Sequence, residues 1–173
     1  MIGLYENFPD VHHGIAHYSS TVPTQDLQRT LLQFLRRLNE KKENLSLAEF
    51  IRHKVRVELD VGIADGLAFD YLNKENFKRC LNEISKNALP ALDLFIVVRY
   101  YVPDGAKRKP LKFDYFLVRI LFREQEVEML VHHERGPRHL AVEELIEFHF
   151  NRINRELKAQ GMNPLEHVLT RAV

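Results

Sequence analysis

The stretch KVRVELDVGIADG, residues 54–66, decides the fold class. Val55, Val57, Leu59, Val61 and Ile63 alternate with Arg56, Glu58, Asp60 and Gly62, a period of two that places apolar side chains on one sheet face and polar ones on the other. A strand patterned this way is half buried, as in an antiparallel sheet covered on one side. Asp65-Gly66 tolerates the positive φ angles of a tight hairpin, and the spacing predicts that the chain returns along Leu67 to Leu72.

Toward the C-terminus, Asn73 is placed to cap a helix whose Phe77, Cys80, Leu81 and Ile84 share one face, and Asn87 and Pro90 stop it. Leu92 to Val102 is the most apolar stretch and reads as a central strand. A loop from Pro103 to Pro110 leads into a strand over Leu111 to Phe122, and Arg123 to Glu126 is a turn into a returning strand at Val127 to Val131. A last helix, about Leu140 to Gln160, carries Val142, Leu145, Ile146, His149, Ile153 and Leu157 on one stripe and is stopped at Gly161. Pro164 onward reads as a short extra turn.

Toward the N-terminus, Ser46 and Glu49 stand three apart as a capping box for a short helix through about His53. Pro23 and Thr24 open a helix with Leu27, Leu31, Phe34, Leu35 and Leu38 at helical spacing. Val11 to Thr21 is rich in β-branched, aromatic and hydroxyl residues and reads as a strand. The order is β-α-α-β-β-α-β-β-β-α. Parallel βαβ units need a helix between nearly all strands, so the pattern predicts the α+β class: a largely antiparallel mixed sheet of five to six strands, with helices on one face. No repeat or linker divides the chain, and residues 1–173 read as a single domain.

Of the 173 residues, 45% are hydrophobic and 28% charged, ordinary for a globular protein and far from disordered composition. Lys and Arg number 25 against 24 Asp and Glu, a formal +1, so any polyanionic partner must be met by a local patch. The single cysteine, Cys80, excludes an internal disulfide framework and a multi-cysteine zinc site. No signal-peptide pattern opens the chain and no long apolar run crosses it, so the expectation is a cytoplasmic protein without a membrane partner.

Nine histidines invite metal or acid-base chemistry. His13 and His17 are four apart, but on a strand that spacing spans roughly 13 Å, too far for one ion. In the pairs His12-His13 and His132-His133, strand alternation sends the rings to opposite faces. A metal site therefore needs partners from different strands, and His13 with His133 is the combination considered, with Glu134 or Asp10 nearby. The segment HHERGPRH, residues 132–139, joins a strand end to a helix start. Backbone amides there, with Arg135, Arg138 and His139 beside them and Gly136 allowing close approach, are suited to phosphate or carboxylate. The alternative is a surface turn whose arginines pair with Glu134, Glu143 or Glu144 and carry no function.

Lys107, Arg108 and Lys109, flanked by Arg99 and Lys112 and close to Tyr100, Tyr101 and Tyr115, form a cationic loop able to hold RNA or single-stranded DNA. Lysines on a hairpin tip also serve solubility or block edge pairing. Ser19 and Ser20 lack a nucleophile elbow, and no glycine-rich phosphate loop or dinucleotide fingerprint exists. Cys80 is expected in the core, and no cofactor is implied.

Two readings from different classes follow, with a third behind them. The first is a non-catalytic binding or assembly module, a homo-oligomer that covers its apolar strand faces. It is suggested by the number of rings among Tyr100, Tyr101, Phe113, Tyr115, Phe148 and Phe150. The second is an enzyme for a phosphorylated or carboxylated substrate, with Arg135, Gly136 and Arg138 holding the anion and His133 or His139 as general acid-base. The third is nucleic-acid binding through Lys107 to Lys109.

Overall fold

The hairpin expected at Asp65-Gly66 is present: Asp65 pairs with Ala68 across a tight turn, and Gly66 takes φ +70°, which a side chain would resist. The computed structural model describes residues 1–40, 56–104, 107–110 and 112–173, with only the backbone path for Arg56, residues 102–104 and residues 107–110. Among the described residues the elements are β1 (Gly14–Ser19), α1 (Thr24–Asn39), β2 (Arg56–Asp65), β3 (Ala68–Tyr71), α2 (Lys74–Lys86) and β4 (Ala91–Asp104). They continue with β5 (Lys107–Pro110), β6 (Asp114–Arg123), β7 (Glu126–Arg135), α3 (Val142–Ala159) and β8 (Glu166–Ala172). The short helix expected after Ser46 lies outside the described residues.

One open sheet runs β3-β2-β4-β6-β7-β1-β8, with β5 pairing the far end of β4. Every pairing between named strands is antiparallel, and the fold class is α+β. The strand count exceeds the expected five to six by β5 and β8. Pro103 and Pro110 read as turn residues, yet proline is tolerated at a ladder edge, and there the chain doubles back with Asp104 opposite Lys107 and Tyr101 opposite Pro110. In β8, EHVLTRA, most residues are exposed or half exposed. An edge strand with polar residues on both faces carries no alternation to detect, and its ladder with β1 also shifts register.

The two faces of the sheet differ. Leu59, Val61, Leu94, Ile96, Val98, Phe116, Val118, Met129 and Val131 are buried and join Leu31, Phe34, Leu35, Ile84, Leu145 and Ile146 of the helices in one core. Residues of the opposite parity, including Phe95, Val97, Tyr115, Leu121 and His17, are half exposed, so the helices cover one face only. The other face is crossed in part by residues 1–13. Asp93, fully buried, accepts a paired contact from Arg119 (2.7 and 2.6 Å) and the amide of Tyr5 (2.7 Å), while the Arg119 guanidinium lies 4.4 Å from the Phe8 ring centre. Among the described residues no helix is long and apolar enough to cross a membrane.

The helix start signals hold locally. Asn73 caps α2, its side chain accepting from the Asn76 amide at 2.9 Å. Cys80 is buried, and burial pushes its thiol up to about 11, which removes it as a nucleophile near neutral pH.

His149, on the core side of α3, is fully buried. Its Nδ1 bonds the Leu145 carbonyl at 2.8 Å, Nε2 has no partner, and Phe34 and Phe148 meet the ring edge-on. Burial lowers its pKa to about 4. Since the unfolded chain titrates near 6.5, the unfolded state binds the extra proton first as pH falls. Stability carried by neutral His149 is therefore complete above about pH 6.5 and lost toward pH 4, by roughly 3 kcal/mol from the size of the shift. Urea unfolding at both ends of this window is expected to show His149→Leu losing much less stability than the parent. An equal acid loss in both proteins contradicts this assignment.

Candidate functional site around Asp114

Asp114 begins β6 in the same phase as Phe116, Val118 and Ile120, so the pleat turns its carboxylate into the core face, where it is fully buried. A buried carboxylate requires donors on both oxygens, and four are supplied. Oδ1 accepts from His133 Nε2 (2.9 Å) and the Arg138 amide (2.7 Å); Oδ2 accepts from the Tyr100 hydroxyl (2.6 Å) and the His139 amide (3.0 Å). The Tyr100 hydroxyl in turn accepts from the Leu140 amide at 2.8 Å. Burial alone would raise the Asp114 pKa, but the hydrogen bonds from Tyr100, His133 and the two amides outweigh it and leave the carboxyl below its ordinary value. Tyr100 moves the opposite way, raised by burial and then by its bond to Asp114.

The turn before α3 is shaped around this carboxylate. Gly136 has φ +120° and Arg138, unusually for a residue with a side chain, φ +56°. A Cβ on Gly136 would sit 2.4 Å from Asp114 Oδ1 and 2.4 Å from the Phe113 carbonyl oxygen. The close approach expected at Gly136 is thus made, and the group approaching is the chain's own Phe113-Asp114. Likewise, the amides of Arg138 and His139, expected to receive an external anion, receive Asp114. α3 itself starts later, where the Glu144 carboxylate accepts from the Ala141 amide at 2.9 Å.

The side chains named from sequence fall around this core. His133 is turned inward to Asp114 and meets Phe116 edge-on, its side chain only 8% exposed. His139 is exposed and packs edge-on against Tyr100. Arg138 is exposed; Arg135 is also exposed and stacks 4.7 Å from the centre of Tyr115 on the opposite sheet face. Among the described residues neither arginine forms an ion pair with Glu134, Glu143 or Glu144.

His13 and His133 do come together, their ring centres 6.4 Å apart, but their nitrogens are committed differently. His13 Nδ1 accepts from the His133 backbone amide at 2.9 Å, while His133 Nε2 faces Asp114. Burial and then the nearby Arg138 guanidinium lower the His13 pKa, in keeping with a neutral ring that accepts at Nδ1. His132, on the other face as alternation requires, contacts the Val11 carbonyl at 2.7 Å and Glu134 at 3.2 Å. The side chains of Lys107, Arg108 and Lys109 lie outside the described residues. Of their flanking cations, Arg99 pairs with Asp60 and lies 6.0 Å from the centre of Phe113.

From sequence Tyr100 reads as a ring beside the cationic loop or in an interface, and Asp114 as one of several strand carboxylates; their pairing is not visible there. The signal was available for Asp114: an acidic residue in the apolar phase of a strand must be buried and therefore needs partners. What it binds was not readable, because the donors come from β4, β7 and the turn after it. Comparisons with protein-family models, with curated proteins and with solved structures find no match to this chain.

Proposed function

We propose that the protein is a non-catalytic assembly module that pairs with a second copy of itself through the helix-free face of its sheet. The observation that carries this reading is an aromatic stripe on that face. Tyr5 and Phe69 have ring centres 4.7 Å apart, Phe69 and Phe95 5.6 Å, and Phe95 and Tyr115 5.9 Å. All four rings are half exposed, and Arg135 stacks on the last of them. Half-exposed rings at the centre of a patch, with charged groups around them, are the usual composition of an interface. Asp60, Arg99, Arg119 and Arg135 border the stripe with both signs of charge, and a net charge of +1 opposes self-association little. A second copy related by a two-fold axis presents the same stripe in return.

The six rings named from sequence divide accordingly. Tyr100 and Phe148 are buried in the core, and Phe150 stacks on Tyr18 at 4.7 Å. Tyr101, Phe113 and Tyr115 are half exposed. Sedimentation equilibrium tests the proposal. The parent chain is expected to be a dimer, and Phe95→Lys and Val97→Lys, both at half-exposed positions, are expected to be monomeric with unchanged circular dichroism. A parent that stays monomeric at the highest attainable concentration contradicts it.

One observation favours a second reading, an enzyme with an Arg135 and Arg138 anion clamp: the Asp114–His133 pair has the arrangement of an oriented acid-base group. Against it, the backbone donors of the clamp are already used by Asp114, and His133 is largely covered. Nucleic-acid binding through Lys107, Arg108 and Lys109 draws no support from the described side chains.

A further inference from the structure

Away from Asp114, a different histidine meets two carboxylates. β1 and β7 pair with His17 opposite Glu128 and Ser19 opposite Glu126, and the pleat directs His17, Glu126 and Glu128 to the helix-free face. His17 Nδ1 lies 2.9 Å from Glu126 Oε1 and 3.4 Å from Glu128 Oε2, and the three ligand atoms all lie within 4.8 Å of one another. With metal–ligand bonds of about 2.1 Å, neighbouring donors on one ion stand roughly 3.0–3.4 Å apart. The separation to Glu128 falls within that spacing, and the one to Glu126, a hydrogen bond, lies just below it. Among the described residues no other group of three histidine, cysteine or acidic side chains converges so closely.

The surroundings also fit a cation. The Glu128 side chain is only 14% exposed, and a carboxylate so covered needs compensating charge. Arg123, opposite Glu126 across β6 and β7, is exposed and among the described residues forms no ion pair with the cluster. One register row along, Glu166 and Glu126 flank Ser19 on its two sides. There a polar cleft of about 440 Å³ begins, lined by Ser19, Ser20, Thr21, Gln125, Asn163 and Glu166 among others. It contains no basic side chain, and the cluster itself reaches solvent through Glu126, whose side chain is 42% exposed.

We propose that His17, Glu126 and Glu128 bind one divalent first-row transition ion on the helix-free face. One imidazole nitrogen with two carboxylate oxygens is a borderline-to-hard donor set, suited to Mn²⁺, Fe²⁺ or Zn²⁺. The two carboxylates balance the charge of the ion, and its remaining positions are open to water beside the half-exposed Glu126. Because the ligands come from two paired strands, the ion would tie β1 to β7. This inference is independent of the assembly reading, since the aromatic stripe lies on the N-terminal segment, β3, β4 and β6.

The test is calorimetric titration of tag-free protein with Zn²⁺, paralleled by Mn²⁺ titration followed by electron paramagnetic resonance. One saturable site per chain is expected. His17→Ala and Glu128→Gln are each expected to weaken it at least about tenfold, whereas His13→Ala leaves it unchanged. Should the Glu128 variant fail to fold, Glu126→Gln, at the most exposed of the three positions, gives the same reading. No saturable site in the parent, or undiminished affinity in His17→Ala, overturns the proposal and leaves the cluster as histidine–carboxylate contacts alone.

Discussion

Asp114→Ala is expected to destabilise the protein by about 3–5 kcal/mol, the range for removing one partner of a buried charge network. For a chain of this size that corresponds to a melting temperature lower by roughly 10 °C. The magnitude follows from what the substitution strands. His133 Nε2, the Tyr100 hydroxyl and the amides of Arg138 and His139 all lose their acceptor at once, in a setting where each unsatisfied buried donor costs about 1–3 kcal/mol. Partial re-solvation of the exposed turn keeps the total below the simple sum. Asp114→Asn is expected to be nearly as damaging, because its amide turns an N–H₂ toward groups that are themselves donors. The same carboxylate gives an acid limb. Its folded pKa lies below the ordinary value, so its contribution is complete above about pH 4, the unfolded value, and is lost as pH falls through the lower folded value. Thermal melts of parent and variants at neutral pH check the effect; a loss under 1 kcal/mol in Asp114→Ala contradicts the network's role.

Gly136→Ala is the second large effect, about 3–5 kcal/mol. Two causes add: φ +120° lies where residues with side chains are strained by about 1–3 kcal/mol, and the new Cβ would press on Asp114 Oδ1 and the Phe113 carbonyl at 2.4 Å. Neither obstacle is the free end of a flexible side chain, so relief requires the turn to leave Asp114, and the amides of Arg138 and His139 go with it. Gly161→Ala is the internal control. It also has positive φ, +74°, but nothing lies within 4 Å of its would-be Cβ, so about 1 kcal/mol is expected from the backbone alone. Chemical denaturation of both variants separates strain from collision. Equal losses at the two positions would show that Gly136 matters only for its backbone angle.

Residues with a strong local period were legible from sequence alone. The alternation at residues 57–63, the Asp65-Gly66 turn, the Asn73 cap and the leucine stripe of α1 each rest on interactions within a few residues, and each appears where expected. β8 escaped because its ladder is formed with β1, far away in sequence, and its own side chains have no apolar phase. The candidate site divides in the same way. That the turn at residues 136–139 offers amides to an anion follows from local geometry. That the anion is Asp114 depends on the β6–β7 register and on Tyr100 arriving from β4. Similarly, His13 and His17 could be judged unable to share an ion from strand rise, but the meeting of His17 with Glu126 and Glu128 requires knowing that β1 pairs with β7.

The same geometry moves attention from the corner at His133 to the helix-free face. A loop rich in arginine, histidine and glycine reads as a receptor when its donors are free. Here they hold a buried carboxylate, and the polar composition of the loop has a structural use. The rings from Tyr5 to Tyr115 pack on one another and on Arg135 yet stay half exposed, which is why the assembly reading rests on them.

Backbone hydrogen exchange at Arg138, His139 and Leu140 tests most directly whether this corner is closed on itself. Arg138 and His139 are exposed, and amides in an exposed turn normally exchange fast. The account requires all three amides to be protected in the parent, since their acceptors are Asp114 Oδ1, Asp114 Oδ2 and the Tyr100 hydroxyl. It also requires the protection to vanish in Asp114→Asn while that of the β4 and β6 amides persists. Unprotected exchange at Arg138 and His139 in the parent would contradict the account and return those amides to an external anion.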